Sequence, residues 1–295
     1  MSEFLQFVPS QAPAAEASEP PVHVMDDIEP SPEMPATERE LVKRLRTGRA
    51  ALPVLPQVAE SALRLANDPD ARITDLAGLV DTDPPIAARF MSVANSVAYW
   101  RGLLTSSTQS AIVRLGLANT RDLLFQVVYA ASSSGLKRYQ LQVQRSFKRS
   151  VVTAVAARTA ARELEMETEY DYMSGLLHDI GEARIYRILD GLPKLDDPKL
   201  AKELVQRYHT AAGAEVAMAW KLPTEIVDAC AAHHDPAAAA VPHVRLVMIA
   251  DAVCDALDAG SSPSFERFEA LGVELSLARR IIEQTKKSTA TSPRT

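Results

Sequence analysis

The chain contains 295 residues, of which 47% are hydrophobic, and carries a formal net charge of −6. This length and apolar content predict one large hydrophobic core or two modest ones. No apolar run reaches the ~20 residues that a membrane-spanning helix needs, and no secretory signal is visible at the N-terminus. The two cysteines, Cys230 and Cys254, do not indicate a disulfide framework, so we expect a cytoplasmic protein without a membrane partner.

The acidic charge is concentrated at the N-terminus. Residues 1–36 contain seven acidic residues, seven prolines and no lysine or arginine, whereas the rest of the chain holds 31 acidic and 32 basic residues. Such a composition predicts a disordered tail over residues 1–36. The near-neutral remainder makes nucleic acid an unexpected partner, and the basic residues between Lys137 and Arg149 are more typical of a solvated helix face.

Helical signals follow in chain order from Thr37, which fits a capping box with Glu40. Thr74 can cap a second short helix, and Asp83 before Pro84 predicts another helix start. The helices predicted in this region are 55–66, 74–80, 84–94, 110–115 and 120–130, the last two on either side of Gly116. Few alternating patterns typical of strands are present. Residues 37–135 are therefore predicted to form an N-terminal helical lobe.

A second helical lobe is predicted over residues 136–259, beginning with a long helix from about Tyr139 to Met166. Residues 260–295 are predicted to form a helical extension with a frayed end. The fold class predicted from these patterns is all-α, a two-lobed helical bundle that follows a disordered tail.

An adjacent histidine and aspartate, His178 and Asp179, stand at the end of an apolar run, with Gly181 two places on. A neutral imidazole and a carboxylate side by side suit a divalent ion such as Mn, Fe or Zn. In a plainer interpretation, His178 ends one helix and Asp179 caps the next. Spacing alone leaves both interpretations open.

Further candidates lie in the same lobe. Asp251 stands within an apolar run, where a carboxylate is costly unless it is paired, hydrogen-bonded to a neighbouring helix end or bound to a metal. His209, His233, His234 and His243 supply more imidazoles, although His233 and His234 could also form a solvated helix end.

Several spaced motifs together resemble the HDOD domain, the HD-related output domain of bacterial signalling proteins. The HDOD domain is a divergent branch of the HD superfamily of metal-dependent phosphohydrolases. The motifs are Leu52-Pro53-Val54-Leu55-Pro56, Asp83-Pro84, Ala94-Asn95-Ser96, Ala111-Ile112-Val113-Arg114-Leu115-Gly116, His178-Asp179, Trp220-Lys221-Leu222-Pro223, His233-His234 and Asp251. The resemblance covers about residues 50 to 258. It implies a helical fold with an HD-like second lobe and a metal site built from a histidine, a His-Asp pair and a later aspartate.

Two positions depart from this pattern. Arg149 stands where the resemblance places the first histidine, and no histidine lies between His23 and His178. Glu182 stands where active relatives with the HD-GYP pattern have lysine. A guanidinium is always protonated and only donates hydrogen bonds. We hypothesise that Arg149 replaces the charge of the metal and pairs with Asp179 or Asp251.

The resemblance and its departures predict a non-catalytic signalling output module with a degenerate HD site and no cofactor. Its partners would be a signalling protein or a second-messenger nucleotide. The alternative is a metal-dependent phosphohydrolase or phosphodiesterase, in which His178, Asp179 and Asp251 hold Mn, Fe or Mg. In that alternative His209 or the pair His233-His234 would assist as accessory residues.

Overall fold

A computed structural model describes residues 28–47, 61, 65, 72–131, 135–166, 169–192, 197–260 and 265–291. Within these ranges the chain forms α-helices and two short 3-10 turns and contains no strand, so the all-α prediction is confirmed. The α-helices are α1 Ala36–Thr47, α2 Ile73–Val80, α3 Pro84–Ala94, α4 Thr108–Ala131, α5 Gln140–Glu163, α6 Asp171–Leu177, α7 Ile180–Asp190, α8 Pro198–Ala219, α9 Thr224–Ala232, α10 Pro242–Ala259, α11 Glu266–Ala270 and α12 Leu275–Thr291. The 3-10 turns are Val97–Tyr99 and Pro236–Ala240.

Two predicted helix caps are wrong. Helix α1 begins at Ala36, which places Thr37 inside the helix rather than at its cap. Helix α2 begins at Ile73, and its cap position is Arg72 instead of Thr74. The predicted cap at Asp83 is confirmed, since its carboxylate accepts the N–H of Ile86 at 3.1 Å.

Two other predictions fall mostly on residues outside the described ranges. These are the disordered tail and the helix over residues 55–66, of which only Ser61 and Leu65 are described, both as helical. Helix α4 contains the two segments predicted around Gly116, because this glycine has φ 77° and ψ 163° and interrupts the helix. A positive φ is accessible to glycine at little cost, so the two segments can follow each other without a loop.

Both predicted lobes contribute to one hydrophobic core. Buried side chains of the N-terminal helices, such as Leu41 and Phe90, belong to the same cluster as Leu177 and Ile226 of the C-terminal helices. A second cluster joins α5 to α10, α11 and α12. The lobe boundaries at residues 135 and 259 stay predictions. No helix in the described part of the chain is both long enough and apolar enough to cross a bilayer.

Candidate functional site

His178 and Asp179 occupy the junction between α6 and α7. His178 is fully buried at the C-terminal cap of α6, and its Nδ1 contacts the carbonyl oxygen of Gly175 at 2.9 Å. Asp179 is at the N-cap position of α7, but its side chain makes no capping hydrogen bond. The plainer interpretation of Asp179 as a helix cap is therefore wrong, and its carboxylate is turned toward other partners.

Gly181 lets two helices meet at this junction. A Cβ atom at residue 181 would lie 1.9 Å from the carbonyl oxygen of His209 and 2.5 Å from the backbone nitrogen of Gly213. Such distances leave no room for a side chain, so α7 and α8 touch backbone to backbone. This contact brings His209 of α8 opposite Asp179.

Four side chains converge at this crossing, Asp179, His209, His233 and His234. One potential ligand atom from each lies within 4.8 Å of all the others. Asp179 Oδ1 is 3.3 Å from Nε2 of His233 and 3.5 Å from Nε2 of His209. Because Asp179 Oδ1 is buried and has no hydrogen-bond partner within the described structure, it can accept a further ligand. We call these four residues the His–Asp cluster.

Backbone carbonyl groups orient the two buried imidazoles of the cluster. Nδ1 of His233 contacts the carbonyl oxygen of Ala229 at 2.8 Å, and Nδ1 of His209 contacts that of Val205 at 3.1 Å. A nitrogen that faces a carbonyl oxygen must carry the proton, so each neutral ring presents an Nε2 lone pair. These two Nε2 atoms face each other at 3.4 Å.

The cluster fits a divalent transition ion. Lone pairs that face one another repel unless a cation or a proton lies between them. Imidazoles held through Nδ1 by carbonyl groups are a common arrangement around protein-bound metals. Three imidazoles and one carboxylate suit Mn, Fe or Zn, whereas Mg prefers oxygen ligands.

The protonation states of the cluster agree with this fit. Burial lowers the pKa of His209, and burial together with the neighbouring His233 and His209 lowers the pKa of His234 to about 4. Both rings are therefore neutral near neutral pH, as metal ligation requires. Burial would raise the pKa of Asp179, but the adjacent His178 outweighs it and holds that pKa well below its usual range.

His178 lies beside the cluster but outside it. Its Nε2 is 3.1 Å from Asp179 Oδ2, within ion-pair distance but without hydrogen-bond geometry. Burial opposes the imidazolium form, yet the Asp179 carboxylate outweighs burial and raises the pKa of His178 to about 9. The charge of Asp179 therefore favours the imidazolium form of His178.

Asp251 of α10 is engaged by two arginines. Its Oδ1 accepts a hydrogen bond from Arg149 Nη2 at 2.7 Å, and its Oδ2 accepts one from Arg267 Nη2 at 3.0 Å. Burial would raise the pKa of Asp251, but His178 and Arg149 hold it below the ordinary value. Of the two pairings proposed for Arg149, the structure shows the one with Asp251. The geometry therefore brings Asp179 together with the three histidines named as accessory rather than with Asp251.

Sequence reasoning missed part of this arginine network. Arg149 also donates to Asp255 at 2.7 Å and to Asp258 at 2.8 Å. Both carboxylates follow Asp251 on one face of α10 at positions i+4 and i+7, a spacing that could have revealed them. Arg267 belongs to the segment after the recognised motifs, and no sequence signal points to it.

Glu182 and His243 have separate surroundings. Glu182 lines a cleft of about 800 Å³ together with Arg149, and burial, followed by the charge of Asp179, raises the pKa of Glu182 to about 7. His243 pairs with Asp228 at 3.1 Å and does not belong to the cluster. The basic residues noted between 137 and 149 are partly used inside the molecule, since Arg138 donates to the carbonyl oxygens of Leu189 and Leu192.

Comparisons with known proteins add three similarities. Ribonuclease Y of Thermus thermophilus is 31% identical over 125 residues, which are 42% of this chain and 19% of that protein. A solved structure from Shewanella amazonensis SB2B, provisionally named a metal-dependent phosphohydrolase, aligns with a TM-score of 0.64 at 20% identity over 85% of this chain and 100% of that one. Another from Marinobacter aquaeolei VT8, provisionally named a signal transduction protein, aligns with a TM-score of 0.58 at 19% identity over 87% of this chain and 64% of that one.

These similarities differ in what they establish about this chain. The chain spans less than half of the length of the curated relatives that it matches. At about 20% identity the two solved structures establish the helical fold alone. The HDOD domain model, in contrast, matches residues 52–236, well over half of the sequence, and this chain belongs to the HDOD domain family.

Proposed function

We propose that this chain is a non-catalytic output module of bacterial signal transduction, which acts by binding a partner protein or a second-messenger nucleotide. Its membership of the HDOD family supports a signalling role. The non-catalytic part of the proposal rests on one observation about Asp251. Both oxygens of its carboxylate accept hydrogen bonds from guanidinium groups. The role proposed needs no cofactor.

The two arginines disfavour the binding of a metal ion by Asp251. Each oxygen of the Asp251 carboxylate already pairs with Arg149 or Arg267, and this pairing weakens the bond that the oxygen could form to a metal ion. The guanidinium groups also place positive charge where a cation bound by Asp251 would sit, and like charges at such distances repel. On this proposal, the HD pattern would lack its last ligand as well as its first.

Exposed apolar side chains support a protein partner. Val97, Trp100, Leu103, Leu104 and Val113 are all at least 49% exposed in one short region. Soluble monomers rarely present several large apolar side chains together unless that surface makes contact with another molecule. Leu103, Leu104 and Val113 also line one shallow pocket.

The His–Asp cluster favours a second candidate function, a metal-dependent phosphohydrolase. Asp179, His209, His233 and His234 would hold the ion, with no contribution from Asp251. When bound there, a divalent ion would polarise a phosphoryl oxygen and lower the pKa of a bound water. The fold shared with the Shewanella protein is compatible with this candidate.

Hydrolysis assays distinguish the two candidates. The full chain is incubated with bis(p-nitrophenyl) phosphate and with cyclic dinucleotides in the presence of Mn²⁺, Fe²⁺ or Zn²⁺. We expect background rates that Asp179→Asn does not change. Metal-dependent turnover that is lost in His233→Ala and kept in His243→Ala, a histidine outside the cluster, would overturn the non-catalytic proposal.

A further inference from the structure

A partly open cavity lies away from the His–Asp cluster, between helices of the two predicted lobes. It has a volume of about 510 Å³ and is lined by residues of α3, α4 and the Val97–Tyr99 turn on one side and of α5 and α6 on the other, together with Ser288 of α12. This volume is within the usual range for small-ligand pockets, roughly 300–1,000 Å³. No residue of the cluster lines it, and its Arg158 follows Arg149 on α5 by nine residues, or about 14 Å of helix.

The charges around this cavity favour an anion. Three of its lining residues are arginines, Arg89, Arg158 and Arg162, and the one lining carboxylate is Asp122. Arg158 already pairs with Asp122, and the buried Asp171 behind it adds a second negative charge.

The surplus positive charge therefore rests on Arg89 and Arg162. Arg89 is half-buried and Arg162 exposed, and within the described ranges neither makes an ion pair or a hydrogen bond, although the charge of Glu163 acts on Arg162. Two guanidinium groups without ion pairs at one cavity suit a phosphate. Each group can donate two parallel N–H hydrogen bonds to the phosphate oxygens.

The remaining polar groups of the cavity suit a nucleobase. The rings of Tyr99 and Tyr172 line the wall, and the Arg158 guanidinium lies 4.3 Å from the Tyr172 ring centre. Gln126 donates through Nε2 to the Tyr172 hydroxyl at 2.8 Å, which leaves its Oε1 as an acceptor for an exocyclic amino group. Aromatic rings and a side-chain amide are the groups that bind a flat, hydrogen-bonding heterocycle.

We propose that this cavity binds a mononucleotide with an amino-bearing base, whose phosphate is held by Arg89 and Arg162 and whose base packs against Tyr99 near Gln126. Such a ligand would touch helices of both predicted lobes at once. The inference does not depend on whether the chain hydrolyses phosphodiesters, because the cavity and the cluster share no residue.

Isothermal titration calorimetry of the full chain with AMP and GMP tests this proposal. At least one of them is expected to bind with a stoichiometry of one, while adenosine, guanosine and ribose 5-phosphate bind at least about ten-fold more weakly. Each of Arg89→Gln and Arg162→Gln is expected to weaken binding by about 10- to 100-fold, the usual range for a lost hydrogen bond to a charged group. Neither side chain makes an ion pair or a hydrogen bond with the part of the chain that the structure describes, so these variants should fold as the parent does, which circular dichroism checks.

Two further variants locate the site. Ala98→Phe, at an exposed position on the cavity wall, should block binding without removing charge. The double variant Arg145→Gln/Lys148→Gln changes two exposed cations of the other cleft and should leave binding intact. The proposal is overturned by absence of binding at millimolar nucleotide, by ribose 5-phosphate binding as well as the nucleotide, or by loss of binding in the Arg145/Lys148 variant but not in the Arg89 and Arg162 variants.

Discussion

Arg149 and Asp251 form a direct ion pair between α5 and α10, with 2.7 Å between Nη2 and Oδ1. The resemblance to the HD pattern would place these two residues at its first histidine and its last aspartate. Under the proposed non-catalytic function, the arginine would replace a pair of metal ligands by an internally neutralised contact. Because the carboxylate is largely buried, this contact should contribute to the stability of the fold.

Arg149→Met is expected to lower the free energy of unfolding by about 1–3 kcal/mol, because Asp251 would lose one of its two charged donors while remaining buried. Lys148→Met is the matched control, since the neighbouring Lys148 is exposed and should change stability by no more than about 0.5 kcal/mol. Urea unfolding followed by circular dichroism measures both. Equal effects of the two substitutions would show that the ion pair does not stabilise the fold.

Gly181→Ala is expected to destabilise the protein by about 1–3 kcal/mol or more, because the new Cβ would meet the backbone of His209 and Gly213, which cannot move aside alone. Thermal unfolding measures the loss. Gly191→Ala is the control, since a Cβ there meets its nearest atom at 3.6 Å. A Gly181 variant as stable as the Gly191 variant would mean that α7 and α8 do not touch as described.

The features of this structure that depend on one residue and its immediate neighbours were predictable from the sequence. The helix start at Asp83 and the interruption at Gly116 follow from the chemistry of single residues. The caps at Thr37 and Thr74 failed because helix ends depend on tertiary packing as well as on the capping residue.

The candidate site was predictable only in part. The family pattern named Arg149, Asp179 and the pair His233-His234, and His209 was named only as a further imidazole of the same lobe. The partners of Asp251, in contrast, depend on where α11 lies against α10. Arg267 comes from that later helix, and no local pattern specifies such a long-range contact. The grouping of Asp179 with His209 follows from the glycine contact between α7 and α8, which spacing along the chain does not reveal.

Metal binding by the His–Asp cluster, which the second candidate function requires, predicts a specific pattern of thermal shifts. Added Mn²⁺ or Zn²⁺ would raise the Tm, because an ion that binds only the folded state stabilises it. His209→Ala would abolish the increase, whereas Asp251→Asn would retain it, since Asp251 lies outside the cluster. Loss of the increase in Asp251→Asn but not in His209→Ala would instead identify the ligand set expected from the family pattern.

The hydrogen bonds of Asp190 predict how the stability of the folded protein depends on pH. Its carboxylate accepts the backbone N–H of Arg138 at 2.7 Å and that of Lys137 at 3.1 Å, just before α5. Partial burial would raise the pKa of Asp190, but these N–H groups and that of Tyr139 hold it below the ordinary value. A carboxyl group with a lowered pKa contributes stability above its unfolded pKa of about 3.9, and that contribution is lost as the pH falls through the folded pKa.

Asp190→Asn is therefore expected to cost about 1 kcal/mol of unfolding free energy at neutral pH, a usual value for a lost helix-end acceptor. The difference from the parent should shrink as the pH falls from about 5 to about 2, because the parent carboxylate is then protonated. Urea unfolding across this range measures it, with Glu266→Gln, an exposed acid, as the control. A constant difference at every pH would show that the charge of the Asp190 carboxylate is not the source of the stabilisation.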